Sequence, residues 1–141
     1  MKLVLVAAVA LIDAAGRVLL ARRPPGKPMA GLWEFPGGKC EPFESPEACL
    51  IRELREELAI EVTPASLVPL SFASHSYGPE AGNFHLLMPL YLCREWRGEC
   101  RPMEGQQLAW APPARIYEYP MPPADQPLIA PLLAAINPPG L

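Results

Sequence analysis

Several features that would announce a function class are scarce in this chain. Only two histidines occur, His75 and His85. They are not spaced as a metal pair, so a hydrogen-bonded structural role is expected of each. Lysine and arginine number 12 against 15 aspartate and glutamate, a net charge of −3 with an isoelectric point near 5.4. Holding a nucleic acid polymer by its phosphates needs a basic surface, so no such polymer is expected as a partner. No apolar run reaches the roughly 18 residues that span a bilayer, which leaves no membrane segment and points to a cytoplasmic protein. Cys40, Cys49, Cys93 and Cys100 contain no C-x2-C pair. Neither zinc nor a disulfide framework is therefore indicated, and reduced thiols are the default.

Proline, by contrast, is abundant: 20 residues, set singly or in pairs between apolar segments. That pattern reads as stiff loops more than disorder. With half of its 141 residues apolar, the chain has the size of a single domain, residues 1–141, around a real core. Met1-Lys2, the apolar run over 3–12 and Asp13-Ala14-Ala15-Gly16 imitate a signal peptide. The run is short, however, and with Arg17-Val18-Leu19-Leu20-Ala21 behind it the segment reads as a hairpin between two buried strands. Three cations, Arg22, Arg23 and Lys27, close the second strand around a Pro24-Pro25-Gly26 turn. Further strands are expected over residues 67–75, 84–94 and 107–110, the second broken by Pro89 at a bulge or edge. The polar, glycine-containing loop over 74–83 between them is of a kind that borders a cleft.

The chemistry is concentrated in residues 38–60, GKCEPFESPEACLIRELREELAI. Ser45 as N-cap and Pro46 as first helical residue open a helix that runs to about Leu58. At 3.6 residues per turn Glu53, Glu56 and Glu57 share one face, beside an apolar stripe of Leu50, Ile51, Leu54 and Leu58. Three carboxylates on one face repel one another unless a multivalent cation sits among them, and oxygen-only ligands select Mg²⁺ or Mn²⁺. Phe35-Pro36-Gly37-Gly38-Lys39 comes just before, a turn whose glycines let backbone groups approach a ligand closely. A glycine turn, a cation and a row of metal-binding carboxylates suit a polyphosphate. A solvated amphipathic helix with Arg52 and Glu56 paired would account for the charges. It would not account for the glycine turn and Glu44 at their offsets.

Gly38, Glu44 and the run Arg52-Glu53-Leu54-Arg55-Glu56-Glu57-Leu58-Ala59-Ile60 resemble the Nudix box, G-x5-E-x7-R-E-U-x-E-E-x-G-U with U a bulky apolar residue. Ala59 departs, standing where the family has glycine after the helix. The resemblance covers nearly the whole chain, and is dense over 32–60 and 122–129. It implies an α/β fold, the Nudix α/β/α sandwich with a mixed sheet between helices, and a nucleoside triphosphate as small-molecule substrate. Among MutT-type members it singles out Arg23 for the substrate phosphates, a match for a guanidinium fork. It also places Phe35 at the border of the site, Glu104 as a supplement to the metal site, and Asp125 where an asparagine reads the nucleobase. Asp125 also fits an N-cap for a last helix burying Leu128, Leu132, Leu133 and Ile136.

The expected reaction is attack of water on a phosphorus of the triphosphate chain, giving a monophosphate and pyrophosphate. Mg²⁺, with Mn²⁺ as substitute, would be held by the Gly37 carbonyl, Glu53, Glu56, Glu57 and Glu104, neutralising developing charge and acidifying water. Glu53 is the first candidate for general base and Glu44 the second, with Arg52 orienting a neighbouring glutamate. Gly38 adjoins the substrate, and Lys39 is open between a phosphate contact and a brace for the turn. Cys49 lies beside the carboxylates as a small packing residue. An ionised Asp125 only accepts hydrogen bonds, which suits guanine N1–H and its amino group, the cytosine amino group, or that of adenine. The base thus stays open between oxidised guanine, as in 8-oxo-dGTP, and a pyrimidine, as in CTP. Nucleotide sugars and dinucleoside polyphosphates are alternatives that the box does not separate, and a base-recognition module is the non-enzymatic one. Nothing in the sequence decides between a monomer and a homodimer.

Overall fold

The computed structural model describes residues 1–136. Its strands are β1 (Lys2–Leu11), β2 (Val18–Arg22), β3 (Trp33–Glu34), β4 (Gly37–Lys39), β5 (Val68–Tyr77), β6 (Phe84–Cys93) and β7 (Gln107–Ala111), and its helices α1 (Pro46–Leu58) and α2 (Ile129–Ile136). The strands form two sheets. A mixed one has the order β4-β1-β6-β5, and a smaller one has the order β3-β2-β7. In the first, β1 and β6 run parallel and the outer pairs antiparallel.

β1 explains this layering. Side chains alternate across a strand, and both of its faces are apolar. Ala8 and Ala10, with Ile12 just past the strand, enter the core on the α2 side, whereas Ala7, Val9 and Leu11 enter the core against α1. All six are at most 2% exposed. A strand buried on both faces has to be covered by helices on both sides, which yields the α/β/α sandwich.

The expected hairpin needs correction. The turn forms, with Gly16 N–H donating to Asp13 O at 2.9 Å and Arg17 paired to the Asp13 carboxylate at 2.8 Å, but β1 and β2 form no ladder with each other, and past the isolated Ile12 and Val18 bridge they part into different sheets. Both edges of β1 are taken, by β4 and β6, so β2 pairs with β3 and β7 instead. Pro89 also departs from expectation. β6 runs unbroken through the middle of its sheet, and the missing N–H is absorbed where its pairing with β1 lapses, between Leu5 with Leu87 and Ala8 with Leu90.

α1 begins and ends as the sequence requires. Ser45 Oγ accepts the Ala48 N–H at 3.0 Å and Pro46 opens the helix, a cap worth about 1 kcal/mol. Cys49, Leu50, Leu54 and Leu58 are wholly buried, and Ile51 packs partly against them. Ala59 takes the left-handed conformation, φ 58° and ψ 35°, so alanine occupies a backbone position that favours glycine. His85 fulfils its structural role between Ser74 Oγ (2.6 Å) and Ser76 Oγ (2.7 Å). His75 instead packs edge-on against the Tyr77 ring. All four cysteines are free. Among the described residues no helix is long and apolar enough to cross a membrane.

Candidate active site

The glycine turn sits against β1 at a distance only glycine permits. A Cβ on Gly37 (φ +151°) would lie 1.9 Å from Ala7 O, and one on Gly38 would lie 2.5 Å from the Glu53 carboxyl carbon. The first contact seats the turn on the sheet. The second presses the backbone directly against an acidic side chain of α1.

Arg52 is the node of the compensated half of the site. Its Nε donates to Glu44 Oε2 at 2.8 Å, Nη2 to Glu44 Oε1 at 2.9 Å and to Lys39 O at 3.2 Å, and Nη1 to Glu53 Oε1 at 2.8 Å. This fork fixes Glu44 and Glu53 together. The Arg52 hydrogen bonds, with a backbone N–H from Glu41, drop the Glu44 carboxyl to about 2, which makes Glu44 a weak proton acceptor. Glu56 stands 55% exposed and meets only Arg52, at 3.6 Å. Cys49 donates its thiol to Gly38 O at 3.3 Å, behind the turn. Burial, followed by the Cys40 thiol, pushes the Cys49 thiol up.

Glu57 belongs to a different environment. Burial, then Glu53, Glu104 and Glu34, push its carboxyl up to about 9. The neighbours that push it up are all acidic. Its cleft is lined also by Arg22, Arg23, Lys27, Glu34, Gly37 and Glu104. The loop bearing Glu104 is docked on the end of α1, with Met103 N–H and Gln106 Nε2 both donating to Glu57 O at 3.0 Å and Arg101 N–H to Leu58 O at 2.9 Å. Arg23 faces Glu34, Nη1 to Oε1 at 3.1 Å, and its Nε donates to Pro28 O at 2.6 Å. Burial raises the Glu34 carboxyl against the pull of Arg23.

Asp125 corrects two expectations. It is αR (φ −80°, ψ −32°) and its side chain caps no helix. Instead the side chain turns inward, 5% exposed, where Phe35 N–H donates to Oδ2 at 3.3 Å. Burial first, then Glu34, push its carboxyl up to about 7, so at neutral pH it is not simply an ionised acceptor. Of the apolar residues assigned to the last helix, Leu128 and Leu132 are buried, whereas Leu133 and Ile136 pack only partly against the core. Phe35 is itself a core side chain, 4% exposed, serving the site through its backbone. Lys39 is exposed in β4, and its backbone carbonyl rather than its ammonium joins the network.

Among the described residues no three His, Cys, Asp or Glu side chains converge as a preformed metal cage. The donor chemistry nevertheless fits a hard dication. Glu57 is pushed up by three other carboxylates and shares its cleft with Gly37 and Glu104, and oxygen donors of this kind suit Mg²⁺ or Mn²⁺. Glu34 and Gln106 were not singled out by sequence. Glu34 sits between Trp33 and Phe35 like any outward strand residue, yet it bears on Arg23, Glu57 and Asp125 at once. Gln106 carried no sequence signal of its own.

The sequence model of the NUDIX domain family matches residues 7–131. A CTP pyrophosphohydrolase of Escherichia coli (strain K12) is 42% identical over 134 residues, 95% of this chain and 94% of the relative. The 8-oxo-dGTP diphosphatase of Proteus vulgaris is 39% identical over 100 residues, 71% of this chain and 84% of the relative. Among solved structures, the E. coli ORF135 protein superposes with a TM-score of 0.81 at 35% identity, covering 99% of this chain and 96% of that one. A MutT NUDIX hydrolase from Burkholderia pseudomallei superposes at 0.80 with 27% identity, covering 92% and 98%.

Proposed function

The chain belongs to the Nudix family of hydrolases, and from that premise we propose that it cleaves nucleoside triphosphates to the monophosphate and pyrophosphate with Mg²⁺, oxidised nucleotides such as 8-oxo-dGTP being the first candidates. The observation that carries this reading is Glu57, on which three other carboxylates, Glu53, Glu104 and Glu34, bear together. A carboxylate so placed is costly in a bare protein, and a dication relieves it.

The Gly37 carbonyl, Glu53, Glu56, Glu57 and Glu104 are the residues that would hold the ion, Glu57 and Glu104 from the cleft itself. When bound, a dication neutralises phosphate charge and acidifies water. The remaining roles belong to the chain. Glu53, oriented by Arg52 and kept close to the turn by Gly38, is the preferred acceptor of the proton from the attacking water. Glu44, already committed to Arg52 and lowered to about 2, is the weaker candidate. Arg23 is assigned to the phosphates, with Gly38 and Lys39 beside it, and Phe35 and Asp125 to the base.

A second reading is CTP or another pyrimidine triphosphate, favoured by the 42% identity to a CTP pyrophosphohydrolase across nearly the full length of both chains. An ionised Asp125 accepts from the cytosine amino group, whereas a protonated one also donates. The experiment is a panel of ordinary and oxidised nucleoside triphosphates, nucleotide sugars and dinucleoside polyphosphates, assayed with Mg²⁺ for pyrophosphate against orthophosphate. Pyrophosphate release with highest kcat/KM on 8-oxo-dGTP or CTP supports the reading. Activity confined to sugars or dinucleotides removes it.

A further inference from the structure

Besides its carboxylates the cleft is lined by three cations, Arg22, Arg23 and Lys27, and they are not equally free. Arg22 Nε is held by Gly31 O at 3.1 Å, and Arg23 by Pro28 O and the Glu34 carboxylate. These bonds have a structural purpose, because they staple the segment between β2 and β3. Arg23 N–H donates to Leu32 O at 3.0 Å, Gly31 N–H to Arg23 O at 3.1 Å and Ala30 N–H to Lys27 O at 3.2 Å. Lys27 rides on the stapled loop at the cleft rim. Its ammonium makes no hydrogen bond or ion pair with any described residue, and Lys27 lines the same cleft as Gly37, Glu57 and Glu104.

Resting on the triphosphate reading above, we propose that Lys27 is a phosphate-binding residue that recognises the outer phosphates of the substrate and of the pyrophosphate product. Three features support the assignment. A guanidinium already sharing its charge with Glu34 offers less to an incoming anion than an unpaired ammonium does. The nucleobase contact assigned to Asp125 lies outside this cleft, with Glu34 acting on both Asp125 and Glu57 between them. The cleft is therefore the polyphosphate end. A loop fixed by its two arginines also presents the lysine without a large ordering cost on binding.

The test is binding of inorganic tripolyphosphate with Mg²⁺ to the full chain by calorimetry, together with steady-state kinetics on nucleoside tri- and diphosphates, for wild type, Lys27→Gln and Lys27→Arg. Losing one charge-assisted hydrogen bond weakens tripolyphosphate binding by about tenfold or more. KM for the triphosphate is expected to rise more than that for the diphosphate, and Lys27→Arg to restore most of both. A melting temperature matching wild type in Lys27→Gln ties the loss to the ligand. Unchanged tripolyphosphate affinity and an unchanged triphosphate preference, in a wild type that does release pyrophosphate, overturn the role of Lys27 alone. A wild type that neither binds tripolyphosphate nor releases pyrophosphate overturns the functional reading and this inference with it.

Discussion

Two groups of carboxylates meet along α1, and their surroundings are opposite. Glu44 and Glu53 surround Arg52, which donates to both, and the Glu44 carboxyl is held down at about 2. Glu57, one turn further, is pushed up to about 9 by burial and by Glu53, Glu104 and Glu34, and off the helix Glu34 and the buried Asp125 are raised too, Asp125 to about 7, against the pull of Arg23. A paired cluster is a means of holding shape. One left largely unpaired, with Glu34 alone bonded to a cation, is unfinished without an incoming charge, and that is the physical content of calling it a site.

Glu57→Gln breaks the comparison most sharply. Loss of a metal ligand removes several kcal/mol of transition-state stabilisation, a drop in Mg²⁺-dependent pyrophosphate release on the order of a hundredfold or more. The metal-free variant should melt no lower than wild type. The sign follows from linkage: a carboxyl near 9 in the fold and near 4.5 when unfolded binds more protons folded, so stability falls as pH rises between those values. Gln removes that fall. Melting curves from pH 5 to 9 without metal check it, and a Glu57→Gln variant with full turnover would remove the metal assignment.

Arg52→Gln strikes the paired cluster and should behave in the reverse way. Glu44 and Glu53 lose their shared donor, and the expected result is a lower urea midpoint at neutral pH. The Glu44 carboxyl is lowered in the fold, so its contribution is present above its unfolded value and lost as pH falls toward 2. In the variant that acid-limb loss should shrink to the part that the Glu41 N–H still supports. Activity should fall too, since Glu53 loses its orientation, but the fold defect distinguishes this cluster from that of Glu57.

Asp125→Asn tests the far end of the unpaired group. Its folded carboxyl near 7 against an ordinary value of 3.8 means that wild-type stability declines as pH rises between those two values, and the amide abolishes the decline. Above pH 7 the variant should therefore be the more stable protein. The same exchange should alter preference among bases in the triphosphate panel more than it alters kcat on any one of them. An unchanged preference would leave Asp125 as a buried acceptor for Phe35 N–H and nothing further.

What the sequence disclosed follows the range of the forces involved. α1 was legible from Ser45 to Leu58 because caps, helical period and the Arg52 pairing are local in sequence. The sandwich was legible through the apolar faces of β1 and β6 and the resemblance of the box. Asp125 misled because an acid ahead of Gln126-Pro127 has the signature of an N-cap, and only the Phe35 amide, 90 residues away, turns it inward. Glu34 was silent for the same reason, since Arg23, Glu57 and Asp125 are brought to it by the sheets and not by spacing. The β1 and β2 hairpin failed because local turn chemistry does not register that both edges of β1 are already occupied.

The smallest effect belongs to Ala59, which joins the two clusters mechanically without touching either. Its left-handed backbone, φ 58°, lets Ala59 N–H reach Arg55 O at 3.2 Å and Ile60 N–H reach Leu54 O at 3.4 Å, closing α1 so that the carbonyls of Glu57 and Leu58 are left for the loop that carries Glu104. An alanine in that conformation costs about 1 kcal/mol relative to glycine, and glycine gives back about half to all of this through the greater freedom of the unfolded chain. Ala59→Gly should therefore stabilise by at most about 0.5 kcal/mol, a small rise in urea midpoint with an unchanged slope, while kcat/KM stays at the wild-type value. A marked loss of turnover with the midpoint preserved would mean that the alanine, and not merely the left-handed turn, sets the position of Glu57 and Glu104, and the helix exit would then have to be counted with the unpaired cluster.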